Sequence, residues 1–428
     1  MERPSNNWYR LRSYLHFDPP ISLKKATSIV TNPELVSRHA FYPLINYEIE
    51  IQKVSKDKLT KRVIKRPIKL RPIAYPAHLD SQIYSYYSYI ISKEYENLLS
   101  ESNLSDSILA FRKLGKSNID FAFDAFCKIK DFGECSVVAL DITGFFDNLN
   151  HEKLKKMWSK TIGEERLPQD HFNVYKSLTK YSKVDRNTLY KLLGISLNYR
   201  NHTKVKLCEP KEFRESVRKS KLIKVNKDCF GIPQGTPISA MLSNLYMLDF
   251  DKNIKAFVDG FSGKYFRYCD DILIISPQDK KDAVIQHVKK EIELIKLSIN
   301  EAKTEVRDFV LVDGNLYTPH HLQYLGFMFD GKNIYLRSSS LARYSERMRR
   351  GVRLAKKTMQ KYNKQRIEEG KSERGLYKKK LYSRYTHLGK RNFITYGMRA
   401  SKKMDSLEIK KQLKPLYSRL QEEINKKL

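Results

Sequence analysis

Asp141 closes the apolar run Cys135-Ser136-Val137-Val138-Ala139-Leu140, and Asp270-Asp271 open another, Ile272-Leu273-Ile274-Ile275. A pair of acids in a turn is ordinarily solvated. Carboxylates held together where buried strands end need cationic compensation instead. The sequence around them offers no obvious buried lysine, so divalent metal is the economical answer. Hard carboxylate oxygens completed by water suit Mg2+. Two such ions, about 3.5–4 Å apart, clamp an in-line phosphoryl displacement. One activates an attacking 3′-hydroxyl and the other stabilises a departing pyrophosphate. The chemistry expected of Asp141, Asp270 and Asp271 as metal ligands is therefore two-metal nucleotidyl transfer.

Strand ends must place these acids. Cys135–Leu140 and Ile272–Ile275 are short, β-branched and too brief for core helices, so both read as buried strands. Phe266-Arg267-Tyr268 before the acid pair completes a hairpin with the acids at its tip. Helices are expected over 151–160 and from Ser239 to about Lys255. The segment 181–227 is lysine-rich and poorly periodic, which reads as an insertion or a mobile surface region. After Leu341 the apolar residues Leu341, Tyr344, Met348, Val352 and Ala355 recur at helical spacing, and Gly370 and Gly375 punctuate a basic helical module.

The 428 residues carry 81 Lys+Arg against 48 Asp+Glu, a net charge of +33. From Leu341 onward there are 27 basic and 8 acidic residues, so this final fifth holds +19 of the excess. A polyanionic partner is implied. With 27 Tyr and 20 Phe available to stack bases, nucleic acid is favoured over an anionic membrane. Hydrophobic content of 41% excludes simple disorder. No run approaches the roughly 18 apolar residues of a membrane span. The five cysteines are an odd number without a C-x-x-C pair, which argues against a disulfide framework or zinc knuckle and fits a cytoplasmic setting.

The motifs together resemble the palm of reverse transcriptases. Tyr268-Cys269-Asp270-Asp271 looks like the family's paired-acid hairpin, and Asp141 with Phe145-Phe146-Asp147 looks like its first acid motif. Gly231-Ile232-Pro233-Gln234-Gly235-Thr236-Pro237 looks like the Pro-Gln-Gly loop between them. Leu297–Thr304 resembles the later lysine motif, Tyr324-Leu325-Gly326-Phe327 the primer-grip hairpin, and Lys69-Leu70-Arg71-Pro72 with Ala110-Phe111-Arg112 the finger motifs. Seven blocks over about residues 60–335 fall in the family's order.

The resemblance implies an α+β right-hand polymerase. Fingers would cover about 1–135 and part of the interval between the first acid motif and the Pro-Gln-Gly loop, with 1–60 an N-terminal extension of helices that packs on the fingers or binds RNA and 61–135 the fingers proper. Residues 136–335 would be the palm with the inserted basic segment 181–227, and 336–428 a basic helical thumb. It assigns Phe146 as a steric gate against a ribose 2′-hydroxyl and Gln234 as a contact to nucleotide or template base. Lys69, Arg71 and Arg112 would hold the triphosphate, and Lys303 would neutralise or protonate pyrophosphate. Expected partners are dNTPs, an RNA template and the RNA–DNA product, with two Mg2+ ions. The chain looks most like stand-alone bacterial reverse transcriptases of antiviral defence, similar to the type-two class, which would copy a dedicated structured non-coding RNA into cDNA. An RNA-binding maturase of a mobile intron and protein-primed or untemplated synthesis by the same palm are the alternatives.

Overall fold

The structure, a computed structural model, describes residues 6–56, 63–198 and 204–426. Along the chain the strands are β1 (Leu44–Lys56), β2 (Val63–Tyr75), β3 (Cys135–Asp141), β4 (Ser182–Asp185), β5 (Lys224–Val225), β6 (Lys264–Tyr268), β7 (Asp271–Ser276), β8 (Glu305–Val312), β9 (Asn315–Tyr317), β10 (Leu322–Tyr324), β11 (Phe327–Phe329) and β12 (Ile334–Leu336). The palm is an antiparallel sheet in the order β6-β7-β3-β8-β9.

β3 and β7 are apolar on both faces because both faces are covered. Val138, Leu140, Ile272 and Ile274 enter one core, which they share with the helices Ser239–Tyr246, Leu248–Asp259 and Lys281–Leu294. Val137, Leu273 and Ile275 enter a second core with the helix Asn118–Phe132, the small sheet β10-β11-β12 and the C-terminal helices. This alternation at period two makes the sheet a partition between two cores.

The finger sheet runs β2-β1-β4-β5. Pro67 and Pro72 lie in β2, an edge strand of this sheet, where a missing amide donor is tolerated. The expected boundary at residue 60 falls between β1 and β2, which pair as one hairpin, so β1 belongs with the fingers rather than with a separate helical extension. Among the described residues, Leu23–Val30, Pro33–Ser37 and a short turn at Asn6–Trp8 supply the helical part ahead of it.

The 181–227 segment is corrected likewise. Its β4 pairs in parallel with β1, and Val184, Leu189, Leu207 and Val217 build a third core with Phe17 and Ile45. In its described residues it is part of the finger sheet, not a loose insertion in the palm.

The helix Ser338–Glu368 begins the C-terminal helical module expected as the thumb. Tyr344, Met348 and Val352 are buried along one stripe, as their spacing requires. The helix packs on Lys379–Tyr385, Phe393–Lys403, Leu407–Leu413 and Pro415–Asn425. Among the described residues no helix is long and apolar enough to cross a membrane.

Candidate active site

Strand register brings the acids together. Asp141 is the last residue of β3 and lies directly opposite Asp271, the first of β7. β6 and β7 close through Cys269 and Asp270, with Tyr268 paired to Asp271. Cys269 takes φ +61°, the left-handed geometry that a two-residue hairpin turn requires. The Ile142 amide donates to the Asp270 carbonyl at 3.2 Å, stitching the turn to the continuation of β3. On the other side the Asn300 amide donates to the Asp141 carbonyl at 2.7 Å, which delivers the segment carrying Lys303.

Burial pushes the Asp271 carboxyl up to about 7, reinforced by the like charges of Asp270 and Asp141 and opposed by Lys303 and Arg337. Lys303 donates from Nζ to an Asp141 oxygen at 2.5 Å. The expectation that no lysine compensates these acids is therefore corrected. The ammonium lies 162 residues away in sequence and reaches Asp141 through the fold, and its own side chain is half-exposed rather than buried.

Three half-buried carboxylates, with Asp271 held up by burial and by the other two, are a hard-oxygen donor set with surplus negative charge, which fits a divalent cation. Among the described residues no three acids, histidines or cysteines form a ready cage, and Lys303 holds one Asp141 oxygen. A cation entering here must displace that ammonium. The cavity beside the acids is about 740 Å³, lined by Asp141, Asp271, Lys303, Tyr324 and Arg337 among others.

A second group assembles around Asp147. Its carboxyl accepts a hydrogen bond from Gln234 and feels the charges of Lys183 and Lys69, while burial pushes its proton affinity up. Phe146 is half-buried against the palm core, its ring 5.6 Å from that of Phe145. Its carbonyl accepts from the Ile232 amide at 2.9 Å. The Gln234 carbonyl accepts from the Ala74 amide at 2.8 Å, and Gly235 has φ +108°. A Cβ on Gly235 would lie 2.6 Å from the Ala74 oxygen and 3.0 Å from Ile73. Lys69 and Arg71 are exposed on β2 and share the strand face of Ile73, so they flank the loop.

Arg112 is not part of this gathering. Its guanidinium makes a fork to Glu96 at 2.9 and 2.6 Å and donates to the carbonyls of Ser105 and Ile108. Four of its five N–H donors are thereby engaged, and its side chain is 4% exposed. It braces its own loop and has no free fork for a triphosphate. The His320-His321 pair lies in a loop, as its sequence suggests, and His321 stacks on Tyr335.

Compared with known families, the chain matches the reverse transcriptase (RNA-dependent DNA polymerase) family over residues 59–329, more than half of its length. The chain belongs to that family. Among curated proteins none matches it in sequence. Similar solved structures include apo telomerase from Candida tropicalis truncated from its C-terminal domain, at 12% identity and TM-score 0.39 over 68% of this chain and 57% of that one. Telomerase from Candida albicans in complex with a TWJ fragment of telomeric RNA aligns at 11% identity and TM-score 0.40 over 94% of this chain and 65% of that one. The chain thus spans between half and two thirds of these telomerase chains.

Within this member of the family, residues that the motifs did not reveal hold the paired-acid hairpin in place. Arg267 is fully buried and forks onto Asp251 at 2.7 and 2.6 Å. Tyr265 donates to the same carboxylate at 2.6 Å. The remaining Arg267 nitrogen donates to the Cys269 carbonyl at 3.1 Å and to Asn244 at 3.2 Å. Burial disfavours the guanidinium charge, but Asp251 outweighs it and keeps Arg267 ionised. The signal was present in Lys264–Tyr268, where period two puts Arg267 inward beside Tyr265. An arginine at an inward strand position demands a buried acid. His151 acts similarly on the Pro-Gln-Gly loop, its Nε2 2.8 Å from the Gly231 carbonyl.

Proposed function

We propose that the chain is an RNA-directed DNA polymerase that copies RNA into cDNA by Mg2+-dependent two-metal nucleotidyl transfer. The observation that carries this reading is the opposed pair Asp141–Asp271, with Asp270 on the adjoining turn, within a chain of the reverse transcriptase family. Asp141, Asp270 and Asp271 would hold the ions, which when bound supply charge to activate the primer 3′-hydroxyl and steady the leaving pyrophosphate. In the reaction the 3′-oxygen bonds to the α-phosphorus and the bond to pyrophosphate breaks. Lys303, released from Asp141, is placed to neutralise that pyrophosphate. Lys69 and Arg71 approach the triphosphate from β2, Phe146 screens the sugar, and Gln234 is oriented by Asp147.

The thumb supports a duplex grip. Arg343, Arg347 and Arg350 recur along one face of the helix Ser338–Glu368 and, with Arg384 and Arg391, line a cleft of about 1040 Å³. None of the five is in an ion pair with a described carboxylate. Such arginines neutralise backbone phosphates without reading sequence. The same fold would serve antiviral defence with a structured non-coding RNA as template. That part rests on the likeness of Tyr268-Cys269-Asp270-Asp271 and the intact Gln234-Gly235 to the stand-alone defence class.

Primer extension on RNA with dNTPs and Mg2+ tests the polymerase. The expected result is cDNA from the wild type and none from an Asp270→Ala, Asp271→Ala double variant. Persistent synthesis by that variant refutes the assignment. Sequencing the nucleic acids that co-purify from cells tests the template, and a single abundant small RNA is the expected outcome.

A further inference from the structure

A second cavity, of about 530 Å³, opens on the finger side of the Pro-Gln-Gly loop. One wall is the start of the helix that follows that loop, with Pro237 and Met241. The others carry Trp8, Tyr89 and Phe111. Phe111 has φ +63°, a left-handed geometry that a bulky L-residue adopts at a cost, and the residue is 49% exposed. Its partial burial offsets little of that cost.

Its neighbours impose the conformation. Arg112 clamps the carbonyls of Ser105 and Ile108. The Leu109 amide donates to the Arg267 carbonyl at 2.9 Å, and Asn244 donates to the Ala110 carbonyl at 2.9 Å. A strained residue that its surroundings over-determine is held for a purpose other than packing. The ring is therefore displayed rigidly. Lys113 projects beside it, with its ammonium 5.5 Å from the centre of the Tyr89 ring, and Lys93 lies 4.7 Å from the same ring. Rigid aromatic faces, an ammonium for phosphate and room for one nucleotide are the recognition chemistry of an unpaired nucleotide.

We propose that this cavity receives an unpaired base of the RNA template ahead of the templating position, stacked on Phe111, with Lys113 on its phosphate. The proposal rests on the polymerase reading, since the Pro-Gln-Gly loop is where template and nucleotide would meet. It adds a second template site that holds the incoming strand in single-stranded form.

The test uses the full chain and a primer–template with a 5′ RNA overhang, carrying 2-aminopurine at each overhang position in turn, without dNTPs. Wild type is expected to quench the probe at one position. Phe111→Gly, which takes a positive φ freely, is expected to unfold at the same temperature or higher yet to lose that quenching. It should weaken binding of the overhang substrate by about fivefold to a hundredfold, the range of one stacked base. Binding of a blunt duplex should not change, and Phe111→Trp should retain both signals. Absence of position-specific quenching, or an equal loss on blunt duplex, overturns the proposal. Extension by the wild type on the same substrate separates the two readings. Extension without quenching removes the cavity's role and leaves the polymerase, whereas quenching without extension does the reverse.

Discussion

Replacing Arg267 by Met tests whether the paired-acid hairpin is positioned by a charge that the reaction never touches. The guanidinium and the Asp251 carboxylate are both 0% exposed and joined by two short bonds. Removing one partner of such a pair strands the other charge, at about 3–5 kcal/mol. The folded-to-unfolded ratio should fall by roughly two to four powers of ten. The decisive variant is the double substitution Arg267→Met with Asp251→Leu. Apolar replacement of a whole buried pair is often close to neutral, so guanidinium chloride unfolding should show most of the stability regained. Extension should not recover with it, because the Cys269 carbonyl has still lost its Arg267 donor and the turn bearing Asp270 is no longer tethered. The expected split is near-wild-type stability with kcat reduced at least tenfold and KM for dNTP little changed. Full recovery of kcat in the double variant would show that Arg267 only stabilises the fold. A loss under 1 kcal/mol in Arg267→Met alone would refute the energetic argument.

Gly235→Ala should stop extension with only a local effect on folding, since the added Cβ meets the Ala74 carbonyl at 2.6 Å; activity and thermal unfolding measured on one preparation check this. Phe146→Ala should admit ribonucleotides, read as a narrowed ratio of dNTP to rNTP incorporation; an unchanged ratio removes the gate. Asp271, held up to about 7, keeps its proton in the metal-free chain to a higher pH than the unfolded chain does. That proton's contribution to stability is present at low pH and is lost as pH rises towards 7. Mg2+ should accordingly raise the unfolding temperature more at pH 8 than at pH 6. The Mg2+ concentration for half-maximal extension should climb by up to about tenfold per unit below pH 7 as protons compete for the carboxylate. Equal Mg2+ stabilisation at the two pH values would contradict this.

What the sequence disclosed was local. β3 and β7 are legible because unbroken β-branched runs have one use, a strand covered on both faces, and the acids are legible because they interrupt those runs. The thumb helix is legible in the four-residue spacing of Tyr344, Met348 and Val352. Pairings across the chain are not encoded that way. Lys303 reads as a surface lysine until Asn300 docks on Asp141. Arg112 reads as a phosphate ligand until the fold supplies Glu96 and two carbonyls. The four residues of β4 are too few for periodicity to announce a parallel partner in β1, 139 positions earlier at the Ile45–Val184 pair.

The helix Ser338–Glu368 leaves the palm at Arg337, whose amide is tied to the Gly326 carbonyl of the turn between β10 and β11 and whose charge acts on Asp271. Its 31 residues make a rod about 46 Å long at 1.5 Å per residue. A rotation of about 10° at the palm end sweeps the far end through roughly 8 Å of that length while Arg337 scarcely moves. The rod is a lever with its fulcrum beside the acids. On the proposed reading, duplexes of different width would be accommodated at its tip with the acids little disturbed.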